Sequence, residues 1–376
     1  MKIAIVHKRY ATTGGTERYV YNFSRYAVSQ GHEVHIVAQK FDLEPIKGIY
    51  FHQVSSPSKP SLAQVWGFLT GSRKVLARIN PDVVLGCGKT FPQDIYRSGG
   101  GCHSTFLKSR IGGNVLMKLK YCTNPLHQLI LWIEKRKFDG DNCKKIVAVS
   151  NIVKEDIIKS YGVSPEKIVV IHNGVNLNHF SPYGKEEARE KIAKQWILDS
   201  NRIWLVFVGH EFKRKGLESI IDALTELDPA EQEKFVLLVV GKGKKSDYMS
   251  KIDQIKTHVV FTGPVSEPVD YYKSSDIFVL PTHFDPFSNV CVEALGCGLP
   301  VVTTKMNGAS EVLTHGKDGF LMENPNDITT LVKALRELMD KDKRNIFSQN
   351  ALETARKCDF KLRAEEMMNL CKSIKK

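Results

Sequence analysis

Short apolar runs alternate with amphipathic stretches through the whole sequence, and this alternation constrains the fold more than any other feature. The runs that we predict to be buried strands are Ile3–Val6, Val34–Val37, Val83–Leu85, Ile146–Val149, Trp204–Val208, Val236–Val240, Val259–Phe261, Ile277–Leu280 and Pro300–Thr303. Strands that alternate with helices predict βαβ units, in which a parallel sheet carries helices on both faces. A chain of 376 residues also exceeds the size at which single hydrophobic cores usually stop growing. We therefore expect an α/β protein with two doubly wound domains.

The boundary between the two domains is expected at residues 172–175, where a glycine follows the apolar run Lys167–Ile171. This boundary assigns residues 1–172 to an N-terminal domain and residues 173–355 to a C-terminal domain. Residues 356–376 are expected to form a C-terminal helix that packs back on the N-terminal domain. Ligands of doubly wound sheets bind outside the carboxyl ends of the strands. Functional residues are therefore expected in the loops that follow strands.

The net charge of +13 is confined to the N-terminal half of the chain. From Met1 to His172 there are 25 Lys and Arg against 12 Asp and Glu, whereas Asn173 to Lys376 has 29 of each. A basic half suits an anionic partner such as a membrane surface, a phosphorylated glycolipid or a nucleic acid. Simple solubility would predict a charge excess spread over both halves.

The segment from Phe106 to Phe138 combines cations with apolar side chains and Trp132, and Glu134 is its one acidic residue. Its seven cations are Lys108, Arg110, Lys118, Lys120, Lys135, Arg136 and Lys137. A basic amphipathic segment with a tryptophan is typical of an element that lies on a membrane surface. An ordinary domain helix is the alternative interpretation.

Other features of the sequence favour a cytoplasmic protein. No apolar run reaches the ~18–20 residues of a transmembrane helix, and the N-terminus lacks the pattern of a signal peptide. The eight cysteines occur without C-x-x-C pairing, which favours reduced thiols in a cytosol. No His/Cys cluster has the spacing of metal ligands, so we expect no metal and no other cofactor.

Two carboxylates, Asp285 and Glu293, lie eight residues apart near the strand Ile277–Leu280. Asp285 is expected in the loop after that strand, and Glu293 in the helix that follows the loop. The unpaired N–H groups at the start of such a helix form an anion site. An anion between two carboxylates predicts a nucleotide sugar, with its diphosphate on the helix end, its sugar on one acid and its ribose on the other.

The start of this helix is expected at Ser288, Asn289 and Val290. The Ser288 hydroxyl is placed to cap the helix, because serine is a favoured N-cap residue. The N–H groups of Asn289 and Val290 then remain for an anion.

Arg214 and Lys215 are adjacent cations in the loop that opens with Gly209, directly after the strand Trp204–Val208. A bidentate guanidinium and a point-charge ammonium are side chains that neutralise a diphosphate without a metal. A solvated run of charges is the alternative. A second glycine loop, at Gly14 and Gly15, follows the first strand and would let the backbone approach a phosphate or the reacting sugar.

Together these motifs resemble those of the family 4 retaining glycosyltransferases. The run from Asp285 to Glu293 is similar to the E-x7-E signature of that family, with Asp in place of the first Glu, and Ser288 replaces a family glycine. The resemblance implies the GT-B fold, in which two Rossmann-like domains face each other across a cleft. It also implies that Arg214 and Lys215 hold the donor diphosphate and that Glu293 binds the ribose.

The same resemblance implies roles for residues in three other loops. Val265 lies in the segment that matches a family loop whose backbone contacts the nucleobase of the donor. Asp94 and His103 are expected to face the cleft from the N-terminal domain, near the acceptor, as catalytic or acceptor-orienting groups. A structural role is the alternative for each of them. His210 stands where many relatives have arginine, so the turn after Gly209 departs from the family pattern.

The implied function is retaining transfer of a hexose, with UDP-glucose as the expected donor, to a membrane-associated glycan such as the lipopolysaccharide core. No second carboxylate is placed as a nucleophile, so we favour same-face attack in which the leaving diphosphate accepts the proton of the acceptor. A nucleotide-sugar epimerase of the same fold is the alternative enzyme. A basic nucleic-acid-binding module is the alternative from another class, although the sequence lacks the signatures of such modules.

Overall fold

A computed structural model of the chain describes residues 1–57, 59–111, 115–139 and 142–375, with the side chains of these residues except those of 108–111, 115, 116 and 118. The chain forms two compact units. The first unit contains Met1–His172 together with Arg363–Lys376, and the second contains Asn173–Leu362. The C-terminal helix was expected at residues 356–376, but it begins at Phe360, and the chain enters the first unit at Arg363.

Each unit is built on one parallel sheet. The strands are β1 Lys2–Val6, β2 Arg9–Tyr10, β3 Glu33–Ala38, β4 Lys40–Phe41, β5 Ile49–Gln53, β6 Val83–Gly86, β7 Gln93–Ser98, β8 Cys143–Ala148, β9 Ile168–Val170, β10 Ile203–Val208, β11 Phe235–Val240, β12 His258–Gly263, β13 Ile277–Leu280, β14 Val301–Thr304 and β15 Gly319–Met322. The first sheet has the order β5-β3-β1-β6-β7-β8-β9, and the second has the order β12-β11-β10-β13-β14-β15, while β2 and β4 pair separately in the first unit. All registered pairs in both sheets are parallel.

Helices connect the strands in both units. Their bounds are α1 Gly15–Ser29, α2 Ser61–Ile79, α3 His103–Ile111, α4 Val115–Thr123, α5 Pro125–Phe138, α6 Asn151–Tyr161, α7 Lys185–Trp196, α8 Phe212–Lys215, α9 Leu217–Thr225, α10 Pro229–Gln232, α11 Met249–Ile252, α12 Val269–Ser274, α13 Asn289–Gly296, α14 Ile328–Glu337, α15 Lys341–Lys357 and α16 Phe360–Ser373. The expected α/β class with two doubly wound, Rossmann-like sheets is therefore confirmed.

The order of the strands reverses at one point in each sheet. In the first sheet the chain moves outward from β1 in one direction through β3 and in the other through β6, and in the second sheet it does so around β10 and β13. Loops that leave the carboxyl ends of two such neighbouring strands diverge and leave a crevice, which is the usual ligand site of an open α/β sheet. The two candidate sites lie at these two positions.

Candidate active site

A tight turn after β10 directs Lys215 toward the loop after β13. Gly216, which follows the short helix α8, has φ +80°, and a Cβ at this position would overlap the carbonyl of Pro281. A side chain is excluded there both by the left-handed backbone and by this close approach. The N–H of Gly209 donates to the carbonyl of Val240 at 2.9 Å and ties the start of the turn to β11.

Lys215 joins the loop after β10 to the loop after β13 through two side-chain contacts. Its ammonium donates to the carboxylate of Asp285, and it also donates to the hydroxyl of Ser288 at 3.0 Å. Lys215 is 8% exposed and Asp285 is 9% exposed, so this ion pair is largely withdrawn from water. The two residues that were expected to bind different parts of a donor therefore contact each other.

Arg214 lies beside this pair at the edge of the crevice. Its guanidinium donates to Glu211 at 2.8 Å and to the carbonyl of Phe284 at 3.1 Å. One guanidinium nitrogen is also 3.8 Å from the Asp285 carboxylate. Arg214 and Lys215 thus both lie beside Asp285 at the carboxyl ends of β10 and β13, and Glu211 pairs with Arg214 there.

The first turn of α13 faces this group, but Ser288 does not cap it as expected. Ser288 precedes the helix, and its side chain makes no capping hydrogen bond; its hydroxyl accepts from Lys215. The Ser288 N–H donates to the side-chain oxygen of Asn307 at 3.1 Å. Asn289 and Val290 form the first turn of the helix, and the Asn289 side chain accepts from Asn173 at 2.7 Å.

Asn307 organises this loop, and its role was not predicted from the sequence. Its side chain is fully buried, accepts from the N–H groups of Ser288 and Ala309, both at 3.1 Å, and donates to the hydroxyl of Thr303 at 3.0 Å. A single asparagine thus supports the segment that carries Asp285. Its position after a strand is a weak signal, because the residue lies outside the run from Asp285 to Glu293.

Glu293 lies farther along α13 and is buried. One of its carboxylate oxygens accepts from the Tyr272 hydroxyl at 3.0 Å. Burial is the main cause that raises the pKa of Tyr272 well above its ordinary value, and the negative charge of Glu293 is the second. Val265, the residue expected to read the base, lies half-buried in the loop after β12. The structure therefore groups Arg214, Lys215, Asp285 and Ser288 and leaves Val265 on a separate loop of the same sheet edge.

The first unit has a separate cavity of about 600 Å³ at the carboxyl ends of β1, β6 and β7. Gly14, with φ +98°, precedes α1, and Gly15 is the first residue of that helix. Thr16 and Glu17, the next two residues, line the cavity together with His103. The glycine loop expected from the sequence therefore opens at the rim of this cavity.

His103 begins α3 and is held from two sides. Its backbone N–H donates to both carboxylate oxygens of Glu134, at 2.8 and 3.0 Å, and its ring Nε2 lies 3.1 Å from Nδ1 of His127. Burial is the main cause that lowers the pKa of His103 to about 4, and the positive charge of Lys89 is the second. The imidazole is therefore neutral at pH 7, where it can orient an acceptor hydroxyl by hydrogen bonding.

Asp94 does not lie at this edge, which corrects the expectation that it faces the same site as His103. It is the second residue of β7, its carboxylate accepts from the Val84 N–H at 2.9 Å, and it pairs with Lys144 at 3.0 Å. These contacts place Asp94 near the amino ends of the strands, opposite the carboxyl edge. The structural alternative is the one that the contacts favour.

The segment from Phe106 to Phe138 is divided among α3, α4 and α5, and only part of its expected charge is on the surface. Lys137 is 3% exposed, donates to the carbonyl of Gly88 at 3.0 Å and lies over the Tyr96 ring. Burial lowers the pKa of Lys137 to about 8. The side chains of Lys108, Arg110 and Lys118 lie outside the described residues. Lys137 therefore cannot serve as a surface cation.

Two kinds of element are absent from the residues that the structure describes. No group of three or more His, Cys, Asp or Glu residues in the described ranges could hold a metal ion. In the same part of the chain, no helix is long and apolar enough to cross a membrane.

Comparison with known families identifies the class of protein. Residues 13–179 match the family described as Glycosyltransferase Family 4, and residues 188–354 match the family described as Glycosyl transferases group 1. The two matches follow one another along most of the chain and accompany two doubly wound parallel sheets. The chain is a glycosyltransferase of the GT-B fold.

Individual relatives agree with this class. An uncharacterized glycosyltransferase of Methanocaldococcus jannaschii, MJ1607, is 26% identical over 359 residues, which is 87% of each chain. D-inositol 3-phosphate glycosyltransferase 2 of Catenulispora acidiphila is 29% identical over 57% of this chain and 52% of its own length. This chain thus spans about half the length of that relative.

Solved structures show the same fold at lower identity. WaaG, a glycosyltransferase involved in lipopolysaccharide biosynthesis, superposes with a TM-score of 0.81 and 20% identity over 98% of this chain and 99% of its own. Anabaena HepE in complex with UDP-glucose superposes with a TM-score of 0.70 and 18% identity over 99% of this chain and 100% of its own. At these identities the similarity shows the fold alone, and the substrates of these proteins are not transferred to this chain.

Proposed function

We propose that this glycosyltransferase transfers a hexose, with retention, from UDP-glucose to a membrane-associated glycan such as the lipopolysaccharide core. The observation that carries the proposal is the convergence of Arg214, Lys215 and the first turn of α13 on Asp285, at the point where the strand order of the second sheet reverses. Two cations and a helix N-terminus at one crevice suit a diphosphate. A carboxylate among them suits the hydroxyl groups of a sugar.

In this proposal the leaving group drives the reaction. As the bond between sugar and phosphate breaks, negative charge develops on the diphosphate, and Arg214, Lys215 and the α13 N–H groups stabilise that charge. The acceptor hydroxyl attacks the same face of the sugar from which the diphosphate leaves. Its proton passes to the departing phosphate oxygen, so the new glycosidic bond keeps the configuration of the bond that broke.

The proposed donor rests on chemistry and on a relative of the same fold. Arg214 and Lys215 supply two positive charges, so we propose that the diphosphate is held without a metal ion. Glu293, on the same helix as the anion site, is proposed to receive the ribose, and Val265 is proposed to contact the base. The fold neighbour that was solved with UDP-glucose makes this sugar nucleotide the first donor to test.

The proposed acceptor is presented at the inner, cytoplasmic face of an anionic membrane. The first unit carries 29 Lys and Arg against 14 Asp and Glu. On its surface the rings of Trp66 and Trp132, which are 50% and 41% exposed, lie 6.0 Å apart, and the Arg136 guanidinium lies over Trp132. Exposed tryptophans beside cations are typical of membrane-surface elements. The pair of Trp66 and Trp132 is therefore the main support for membrane contact, because Lys137 is buried and cannot contribute a surface charge.

A thermal-shift screen with UDP-, GDP- and ADP-sugars tests the donor, because a ligand that binds the folded state stabilises it by mass action. We expect UDP-glucose to raise the Tm of the wild type and of Lys213→Ala, an exposed neighbour, but not that of Arg214→Ala. Proton NMR of the glycoside product then reports retention. No shift with any sugar nucleotide would contradict the donor site.

Incubation without acceptor separates the alternative enzyme, since an epimerase converts or releases the sugar without a glycan. Salt-dependent binding to duplex DNA, in place of anionic vesicles, would favour the nucleic-acid-binding module.

A further inference from the structure

Three lysines line the cavity of the first unit, and they reach it from different elements. Lys8 follows β1, Lys89 follows β6, and Lys137 lies on α5. Like charges at one cavity repel one another, and water at the exposed side chains of Lys8 and Lys89 screens part of this repulsion. A cavity built in this way is electrostatically suited to an anion.

Within the described ranges, one of the three lysines has no protein partner. Lys137 donates to the carbonyl of Gly88 at 3.0 Å, and Lys8 donates to the side chain of Gln64 at 3.0 Å. The Lys89 ammonium makes no hydrogen bond or ion pair with the described residues. Desolvation by the surrounding protein, followed by the charges of Lys137 and Lys8, lowers the pKa of Lys89. The Lys89 side chain is exposed, so in the free protein water solvates its ammonium and a ligand can reach it.

The two carboxylates of the cavity are already engaged elsewhere. Glu134 accepts from the backbone N–H groups of His103 and Ser104 and from the hydroxyl of Tyr161. Glu17 lies 3.3 Å from the ring Nε2 of His7. The charge of Glu134 raises the pKa of Lys89, but this is the weakest of the effects that act on that pKa. Neither acid contacts Lys89.

The cavity also leaves space for a ligand beside these cations. Gly100 lies on its wall, and no heavy atom of the described residues is found within 4 Å of the position that a Cβ would occupy there. The volume of about 600 Å³ falls within the ~300–1,000 Å³ of small-molecule sites. A group as large as a sugar phosphate therefore fits in the cavity.

We propose that Lys89, with Lys8 and Lys137 beside it, forms an anion subsite that binds a phosphate group of the acceptor. This inference rests on the proposed function, because it assigns the cavity of the first unit to the acceptor of the transferase. It narrows the acceptor to a phosphorylated glycan or glycolipid. Lys89 is the specificity-determining residue of the subsite, since it is the lysine that offers all of its donors to the ligand.

Binding of inorganic phosphate and glucose 6-phosphate to the full chain, measured by calorimetry with saturating UDP, tests the subsite. UDP occupies the donor site, so the phosphate probes report on any other anion site. We expect both probes to bind the wild type and glucose not to bind. Lys89→Gln should weaken both probes about tenfold or more, because a charge-assisted hydrogen bond is lost. Lys89→Arg should retain them, and Lys74→Gln, an exposed lysine of α2 outside the cavity, should match the wild type.

A second pair of probes separates the two sources of a phosphate. Glycerol 3-phosphate and dihexanoyl phosphatidic acid carry the same headgroup, but only the second carries acyl chains. If both lose affinity in Lys89→Gln, the subsite is supported, and tighter binding of the acylated probe assigns the phosphate to a lipid. Equal binding assigns it to a soluble sugar phosphate.

The donor measurement keeps this inference distinguishable from the proposed function. Lys89→Gln should bind UDP with unchanged affinity. Loss of UDP affinity would place Lys89 in the donor site and overturn the acceptor subsite. Absence of phosphate binding with UDP bound, or an equal loss in Lys89→Gln and Lys74→Gln, would also overturn it. A wild type that binds phosphate but no sugar nucleotide would contradict the proposed transferase donor and leave the anion subsite standing.

Discussion

The ammonium of Lys215 contacts the carboxylate of Asp285, although 70 residues separate them in the chain. The two residues leave adjacent strands, β10 and β13, where the order of the second sheet reverses. Both are buried, so each offsets the charge of the other in a medium where an unpaired charge is unfavourable. A donor diphosphate that binds Lys215 must therefore share this ammonium with Asp285 or displace the carboxylate.

We expect Lys215→Ala to reduce both stability and donor affinity. Removal of one partner from a buried ion pair destabilises proteins by roughly 3–5 kcal/mol, and Arg214, 3.8 Å from Asp285, should reduce that loss. UDP affinity should fall about tenfold or more with the loss of a charge-assisted contact. Urea unfolding and calorimetry measure the two effects.

The double variant Lys215→Met with Asp285→Asn separates these effects. It removes both charges, so it should recover much of the stability without recovering UDP binding. Lys213→Ala, in the same short helix but exposed, should change neither quantity. Normal UDP affinity in the double variant would show that Lys215 does not hold the diphosphate.

Gly216→Ala is expected to disrupt the turn that positions Lys215. The substitution adds a Cβ to a left-handed backbone and brings it into the carbonyl of Pro281. Gly263→Ala is the matched control, because Gly263 has φ +75° but no atom within 4 Å of its Cβ position. The control should show only the conformational cost of about 1–2 kcal/mol, and Gly216→Ala should lose more. Equal losses in thermal or urea unfolding would argue against the close contact.

Stability should fall as the pH is lowered from about 6.5 to about 4, in part because of His103. The pKa of His103 is lowered to about 4 in the folded chain, while an unfolded histidine titrates near about 6.5. Between these values the unfolded state binds more protons, so stability rises with pH and is lost on acidification. Urea unfolding of His103→Asn across this range should show a shallower slope than the wild type. An identical slope would contradict the lowered pKa.

The paired tryptophans predict how the protein binds vesicles. Trp66→Ser with Trp132→Ser should weaken binding to anionic vesicles in high salt, where apolar contacts persist and charge attraction is screened. Lys120→Gln with Lys135→Gln should weaken binding mainly in low salt, at about 1 kcal/mol per cation. Tyr183→Ser, which changes a still more exposed aromatic residue in the second unit, should have no effect. Vesicle sedimentation at two salt concentrations measures this, and full binding by the tryptophan variant would exclude the pair as a membrane contact.

Transfer activity is expected to survive EDTA. Arg214 and Lys215 bring two positive charges to the proposed diphosphate position, which is the role that a divalent ion plays in metal-dependent transferases. Product formation should be measured before and after chelation, and again with added Mg²⁺ or Mn²⁺. Loss of turnover that either ion restores would refute the metal-free proposal.

Much of the fold could be predicted because buried parallel strands are apolar on both faces. The runs Ile3–Val6 and Ile277–Leu280, for example, are strands within one residue of their expected bounds. β7, Gln93–Ser98, was not predicted, because it is buried throughout although four of its six residues are polar or charged. Periodicity cannot reveal a strand whose polar groups are satisfied by partners far away in the sequence.

The candidate site was predictable only where a motif was local. Arg214, Lys215 and Asp285 each lie in a segment that follows an apolar strand, and parallel topology brings such segments to one edge. Asp94 was misplaced because the β strand that contains it was not recognised, so its end of the sheet was unknown. The contact of Ser288 with Lys215 and the support from Asn307 depend on tertiary geometry, which sequence spacing does not encode.

The helix α5 carries both Trp132 on the surface and Glu134 in the interior. Its 14 residues form a rod about 21 Å long. The Glu134 carboxylate accepts from the backbone N–H of His103 at the start of α3, so α5 links an exposed tryptophan to the wall of the cavity. A lipid surface that engaged Trp132 would therefore act on the same helix that holds His103 in place, so membrane attachment and the shape of the cavity would be coupled.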